Sequence, residues 1–319
     1  MNTIPTIFNE RLISRTILGG KKVSSKIKMN VSVILLNSGG THLRAQNLEN
    51  LQNCGFKHII SMEPSSQNYN LEELVNQFPN VKFIIPQEAV TDGDLINIGM
   101  SETDAEYVLV LRDTVQISNF AISSNAAQKL IEKNYFCYVP RMTIDKTQTV
   151  NVDYIPTIEK GIFRIASTET VEDGRETLYP SGFIGIFNRQ KFIQLGGYDY
   201  TIESPYWQNI DLALRSWLWG EKTAVTTGIT FSFIDSSPVE DTTSNLSQFR
   251  FYLKNLAPVF NLDHGELLKS AFFRTMRRSC CGFVETLKQF KDAREWVEKN
   301  KYRFKTDAVQ LITDWGKEK

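Results

Sequence analysis

Between residues 31 and 111, short apolar runs rich in β-branched side chains alternate with segments that repeat apolar residues at helical spacing. No other feature of the chain restricts its fold so much. The first run, VSVILL at 31–36, is ended by Asn37, Ser38, Gly39 and Gly40, and Thr41 then caps a helical stretch carrying Ala45, Leu48 and Leu51. The unit recurs: strands are expected at 58–62, 81–85 and 107–111, and helices at 71–78 and 93–102. Apolar strands joined by short helices call for a mainly parallel sheet covered on both faces, because half-exposed antiparallel strands would alternate polar with apolar residues. Ligands of such sheets lie beyond the carboxyl ends of the strands. Residues 37–40, 62–65 and 112–114 are therefore the places to look for binding groups.

The rest of the chain is less regular. A helix is expected at 123–133 and a strand at 136–142, whereas 143–178 reads as a long polar loop with strand character only around 162–166. A strand at 183–187, a segment at 189–195 and a Gly196-Gly197 turn precede a well-punctuated helix, with Ser204 as N-cap, Pro205 at its first position and Gly220 past its end. Residues 222–234 are strand-rich, 237–244 read as a linker, and 248–315 as helical. Residues 1–29 set Arg11, Arg15, Lys21, Lys22, Lys26 and Lys28 against one acid and read as a basic, weakly structured extension. The division is thus 1–29, an α/β domain over 30–236, and a C-terminal helical region over 245–319.

With 36 basic and 36 acidic residues the chain is neutral, which gives no reason to expect nucleic acid as a partner. The four cysteines form no metal-binding or redox spacing, and no apolar run reaches the roughly 18 residues of a membrane span. The expectation is a cytoplasmic protein.

Three blocks then resemble the family-2 glycosyltransferases of GT-A fold: VSVILLN, NIGMSETDAEYVLVLRDT, and GFIGIFNRQKFIQLGGYDYTIESPYWQNIDLALRSWLWGEKTAV. The resemblance covers about residues 31 to 235 and implies a nucleotide-sugar donor and a glycan or lipid-linked acceptor. In that family an Asp-x-Asp after the fourth strand holds a divalent metal; Arg112-Asp113-Thr114 stands there. One acid is too few for a hard cation, so no metal site is expected. The family's Glu-Asp pair, the source of its general base, aligns with Gln208-Asn209, and amides take no proton at neutral pH. The late histidine is absent from 230–235, and the base-reading aspartate is Met62, beside Glu63.

These departures nominate other residues. Arg112 can replace the cation at the diphosphate through bidentate hydrogen bonds, or pair with Asp113 or Glu106. Asn37, Glu63, Asn97 and Asp113 complete the nucleotide-sugar set, Asn97 belonging to an Asn-x-Gly with Gly99 that also fits helix packing. Asp211 and Asp199 are the candidate proton acceptors, the first also four residues from Arg215 on a helix and the second also a turn residue. On the acceptor side stand Gly196, Gly197, Trp207, Gln208 and Asn209. Two functions follow: metal-independent, inverting glycosyl transfer, or an inactive relative that binds sugar or nucleotide as a scaffold. Finally, residues 269–305 are basic with interleaved phenylalanines. That fits a peripheral membrane contact or a helical cap with a solvated face.

Overall fold

The structure is a computed structural model and describes residues 11–20, 29–38, 44–63, 71–118, 122, 124–168 and 170–317. Its centre is a mixed sheet. The strands are β1 Arg15–Gly19, β2 Val31–Leu36, β3 Ile59–Met62, β4 Val81–Pro86, β5 Tyr107–Arg112, β6 Val115–Gln116, β7 Cys137–Ile144, β11 Gly185–Asn188 and β12 Thr223–Phe233, with β8 Gln148–Val150 on the flank of β7. Their order is β1-β4-β3-β2-β5-β11-β7-β12-β6, parallel along β4-β3-β2-β5 and between β7 and β12, antiparallel at β1, β6, β8 and β11.

Both faces of the sheet are covered, as its continuous apolar strands require. On one face Val33, Leu35 and Leu109 pack with Leu48 and Leu51 of α1 (Arg44–Cys54), Leu71 at the start of α2 (Leu71–Gln77) and Leu130 of α4 (Ser124–Lys133). On the other, Ile34, Leu36 and Val110 meet Leu95 and Ile98 of α3 (Asp92–Ser101) and Phe192 of α5 (Arg189–Gln194). A Cβ on Gly99 would stand 2.6 Å from Ile34, so this glycine lets α3 lie close against β2. A third core joins α6 (Pro205–Leu218) to α7 (Leu246–Phe251) and its π-helical continuation Tyr252–Leu256, and to α9 (Phe283–Asn300) and α10 (Ala308–Thr313).

Three expectations are corrected. Residues 15–19, assigned to a loose arm, form the edge strand β1: the backbone pairing of Thr16, Ile17 and Leu18 with β4 outweighs the basic composition; residues 1–10 and 21–28 lie outside the described residues. The loop expected over 143–178 contains β8 and a hairpin of β9 (Asp153–Glu159) with β10 (Ile162–Thr168). Its Lys160-Gly161 turn has φ of 50° and 76°, the geometry that twists with the strands. The C-terminal region is not wholly helical, since β13 (Val259–Asn261) and β14 (His264–Glu266) pair between the π-helical turn and α8 (Ala271–Met276). The cap at Thr41, with Gly39, Gly40 and residues 64–65, also lies outside the described residues. Among the described residues no helix is long and apolar enough to cross a membrane.

Candidate functional site

The parallel register builds the first wall of the site. Leu36 lies opposite Met62 on β3 and Arg112 on β5, so the residues that follow, Asn37, Glu63 and Asp113, end up side by side beyond the sheet. All three are buried. Asn37 Nδ2 donates to Ser61 Oγ at 2.7 Å and to Glu63 Oε1 at 3.1 Å, while its Oδ1 has no partner among the described residues. Glu63 is also paired with Arg44. Asp113 accepts the Ser38 backbone N–H at 2.9 Å and the Ser38 hydroxyl at 2.7 Å, one on each oxygen.

Arg112 points the other way. Its Nη2 meets Asp92 Oδ2 at 2.5 Å, its Nε donates to the Gly182 carbonyl at 2.9 Å, and the guanidinium lies 5.7 Å over the Phe183 ring. Asp92, 20 residues away in sequence, thus takes the place of Asp113 and Glu106 as the partner of Arg112. Gly182 and Phe183 both adopt left-handed backbone, with φ of 62° and 67°. For Phe183 this costs on the order of 1–2 kcal/mol, a strain typical of functional sites.

The same glycine holds an anion. Gly182 N–H donates to Glu240 Oε1 at 3.0 Å and the Tyr179 hydroxyl donates to Oε2 at 2.6 Å. Glu240 is half-buried, and no lysine or arginine among the described residues pairs with it. Tyr154, Tyr179 and Tyr206 stand around it, with ring centroids 4.6 Å apart for Tyr154–Tyr179 and 6.3 Å for Tyr179–Tyr206. Burial raises all three phenols and the Glu240 charge raises them further, Tyr206 to about 12, so they remain donors. Sequence reasoning missed Glu240. It sits in a stretch with no regular structure, and only tertiary contact brings it to the strand ends.

The acceptor-side residues form the support behind this turn. Gln208 Oε1 accepts Gly93 N–H at 3.1 Å, next to Asp92, and its Nε2 donates to Asp199 O at 3.0 Å. Asn209 Nδ2 donates to Pro180 O at 2.7 Å and so fixes the turn that presents Gly182. Gly196 and Gly197 have φ of 85° and 66°, as the turn demands. What approaches them closely is Asn97: a Cβ on Gly197 would stand 2.6 Å from Asn97 Oδ1, and the Asn97 amide holds Tyr198 N and O at 2.9 and 2.8 Å. Asn97 therefore clamps the turn, the packing alternative. Trp207 is buried against Phe251, with its N–H on Thr243 O at 2.9 Å, and presents no free face.

Asp199 and Asp211 lie in one buried ion network. Arg215 meets Asp211 at 2.7 Å; Lys254 meets Asp199 at 2.6 Å and Asp211 at 3.2 Å. Burial alone would raise the Asp199 carboxyl, but Lys254 and two bonds from Thr201 outweigh it and hold it at about 2. Of the two candidate proton acceptors, Asp211 is thus held in a buried ion pair with Arg215, and Asp199 is a turn residue bonded to Thr201 and paired with Lys254. A pocket of about 180 Å³ borders Asp199, Lys254 and Trp296 behind the network.

Nor does the donor set at 112–114 suit a hard cation, because Arg112 brings positive charge and both Asp113 oxygens serve Ser38. Among the described residues no group of three or more His, Cys, Asp or Glu side chains is placed to hold a metal.

The whole architecture aligns with the crystal structure of GalNAc-T7 with UDP, GalNAc and Mn2+, at a TM-score of 0.59 and 12% identity over 90% of this chain. The fold is that of the GT-A glycosyltransferases. This chain spans 56% of the GalNAc-T7 structure's length. The structure of S. aureus TarS 1-349 in complex with UDP aligns over 83% of this chain and 70% of its own at 11% identity, with a TM-score of 0.49, and adds nothing to the fold assignment. No family model and no curated protein matches the sequence.

Proposed function

We propose that this GT-A protein transfers a glycosyl group from a nucleotide-sugar to a saccharide hydroxyl, with Arg112 in the place of a cation and Glu240 as the proton acceptor. One observation carries the reading: Arg112 and Glu240 grip the carbonyl and the N–H of the same residue, Gly182, in a left-handed turn. A cation and a carboxylate that no lysine or arginine among the described residues pairs with are thereby fixed on either side of one turn at the strand ends, where this fold class binds its ligands.

In the proposed step the acceptor oxygen forms a bond to the anomeric carbon while the bond from that carbon to the diphosphate oxygen breaks, and the electron pair leaves with the diphosphate. The planar, permanently charged Arg112 guanidinium neutralises the developing charge by exchanging Asp92 for phosphate oxygens. The acceptor proton passes to Glu240. Its carboxylate has about four acceptor positions, of which Gly182 and Tyr179 use two, so a hydroxyl can be received without breaking either bond. Of the tyrosines around it, Tyr179 is buried, while Tyr154 and Tyr206 are half-buried and can meet a sugar ring. Asn37 Oδ1 leaves an acceptor for a nucleobase N–H, and inversion at the anomeric carbon follows from direct displacement. Donor, acceptor class and metal independence all belong to the proposal.

Calorimetric titration with UDP, GDP and ADP in chelator, followed by nucleotide-release assays with acceptor sugars, tests it. Arg112→Ala is expected to weaken nucleotide binding at least tenfold, since hydrogen bonds to charged groups contribute about 1.5–3 kcal/mol each. Glu240→Gln is expected to bind nucleotide normally and to lose about 10²–10⁴ in turnover. Unchanged nucleotide affinity in Arg112→Ala sinks the anchor role, and full turnover in Glu240→Gln sinks the base. The second reading, a nucleotide- or sugar-binding scaffold, draws on the structural use of Gln208, Asn209, Asp199 and Asp211; binding without turnover by the unaltered protein would favour it.

A further inference from the structure

The corner between α8 and α9 exposes apolar side chains that nothing among the described residues covers. Phe273 is 71%, Phe283 59% and Val284 80% exposed. Phe272 is half-buried among them, its ring centroid 5.8 Å from Phe273, 6.0 Å from Phe283 and 5.4 Å from the buried Phe290. This aromatic group anchors the corner to the third core while its outer members face solvent. The packing face of α9 is a different one, formed by Thr286, Gln289, Phe290, Ala293 and Val297.

The same corner is positively charged. Residues 269–284 contain Lys269, Arg274, Arg277 and Arg278 and no acid, the first acid being Glu285 in the opening turn of α9. Arg274 and Arg277 are exposed, whereas Arg278 lies 5.2 Å over the Tyr252 ring and donates to Gly161 O at 2.8 Å. That bond brings the tip of the β9–β10 hairpin, with its exposed Ile158, Glu159, Lys160 and Ile162, against the corner. Two elements far apart in sequence thus contribute apolar and basic side chains to one protrusion.

We propose that this corner docks on an anionic lipid bilayer. Exposed rings flanked by arginines match a surface whose headgroups carry negative phosphates above an apolar interior. Arginine suits phosphate through paired N–H donors, and aromatic rings settle at the interface. A second copy of the chain is the poorer occupant, because self-docking would set Arg274, Arg277 and Arg278 against one another. The inference does not depend on glycosyl transfer.

Co-sedimentation of the full chain with vesicles of phosphatidylcholine alone, or enriched in phosphatidylserine, tests the proposal. Binding is expected only to the anionic vesicles and is expected to weaken with salt. Phe283→Ser/Val284→Ser should reduce it at least tenfold with an unchanged circular dichroism spectrum. Arg274→Gln and Arg277→Gln should each cost about fivefold. No binding to anionic vesicles at low salt, or equal binding by the Phe283→Ser/Val284→Ser protein, overturns the proposal. So does a dimer in analytical ultracentrifugation that the same double change converts to monomer.

Discussion

Gln208 and Asn209, which the sequence resemblance sets against a pair of acids, make contacts that only amides can make. Each amide donates to a backbone carbonyl, Gln208 to Asp199 and Asn209 to Pro180, inside the protein. A carboxylate has no such donor. Restoring an acid with Asn209→Asp would set a buried negative charge against the Pro180 carbonyl and leave both unsatisfied, at a cost of about 2–4 kcal/mol. Urea denaturation should show that loss, with no gain in turnover. A stability equal to the parent's would mean that the Pro180 bond contributes nothing. These residues thus support the turn at Gly182, while the charged groups gripping it, Arg112 and Glu240, come from the end of β5 and from the segment after β12.

At the scale of elements, the turn Ser181–Phe183 and helix α3 are the two parts that aim Arg112. Helix α3 starts with a full capping box, Thr91 Oγ1 accepting from Asp94 N and Asp94 returning a bond to Thr91 N, which fixes its first residue, Asp92. Gly182 sits at φ 62°, and a Cβ there would make only ordinary van der Waals contact, with Pro238 at 3.7 Å and Arg112 at 3.8 Å. Gly182→Ala therefore isolates backbone strain from steric clash. A stability loss of about 1–2 kcal/mol is expected in denaturant, with an unchanged slope. A neutral result would show that the turn relaxes freely. Two left-handed residues in succession carry no sequence signature beyond a single glycine, which is why this turn was not anticipated.

Across the whole molecule, the network of Asp199, Asp211, Arg215 and Lys254 fastens the C-terminal region to the α/β sheet, because Lys254 comes from the π-helical turn and both acids from the sheet side. The Asp199 carboxyl is held at about 2 in the folded protein, below its ordinary value of 3.8. A depressed folded value contributes stability that is complete above the unfolded value and is lost as pH falls through the folded one. Asp199 should accordingly contribute roughly 2 kcal/mol above pH 4, declining between about pH 4 and pH 2. Acid titration of the melting temperature for the parent and Asp199→Asn would show it, the curves converging near pH 2. Parallel curves would remove Asp199 from the account.

By itself the sequence determined the strand–helix alternation of residues 31 to 111 and the burial of both sheet faces, since periodicity and apolar content are local properties that a parallel sheet imposes on each strand; the GT-A expectation rests on the resemblance of three blocks between about residues 31 and 235. The sequence also placed Asn37, Glu63, Arg112 and Asp113 at the strand ends, because register and strand length follow from the same pattern. Only the tertiary structure decided which acids are closed off and which is open. Asp199 and Asp211 are neutralised by cations 55 and four residues away respectively, and Glu240 is carried to Gly182 across 58 residues. Likewise β1 is a strand only because β4 offers it an edge. Charge pairing and edge pairing depend on partners distant in the chain, and no local pattern encodes them.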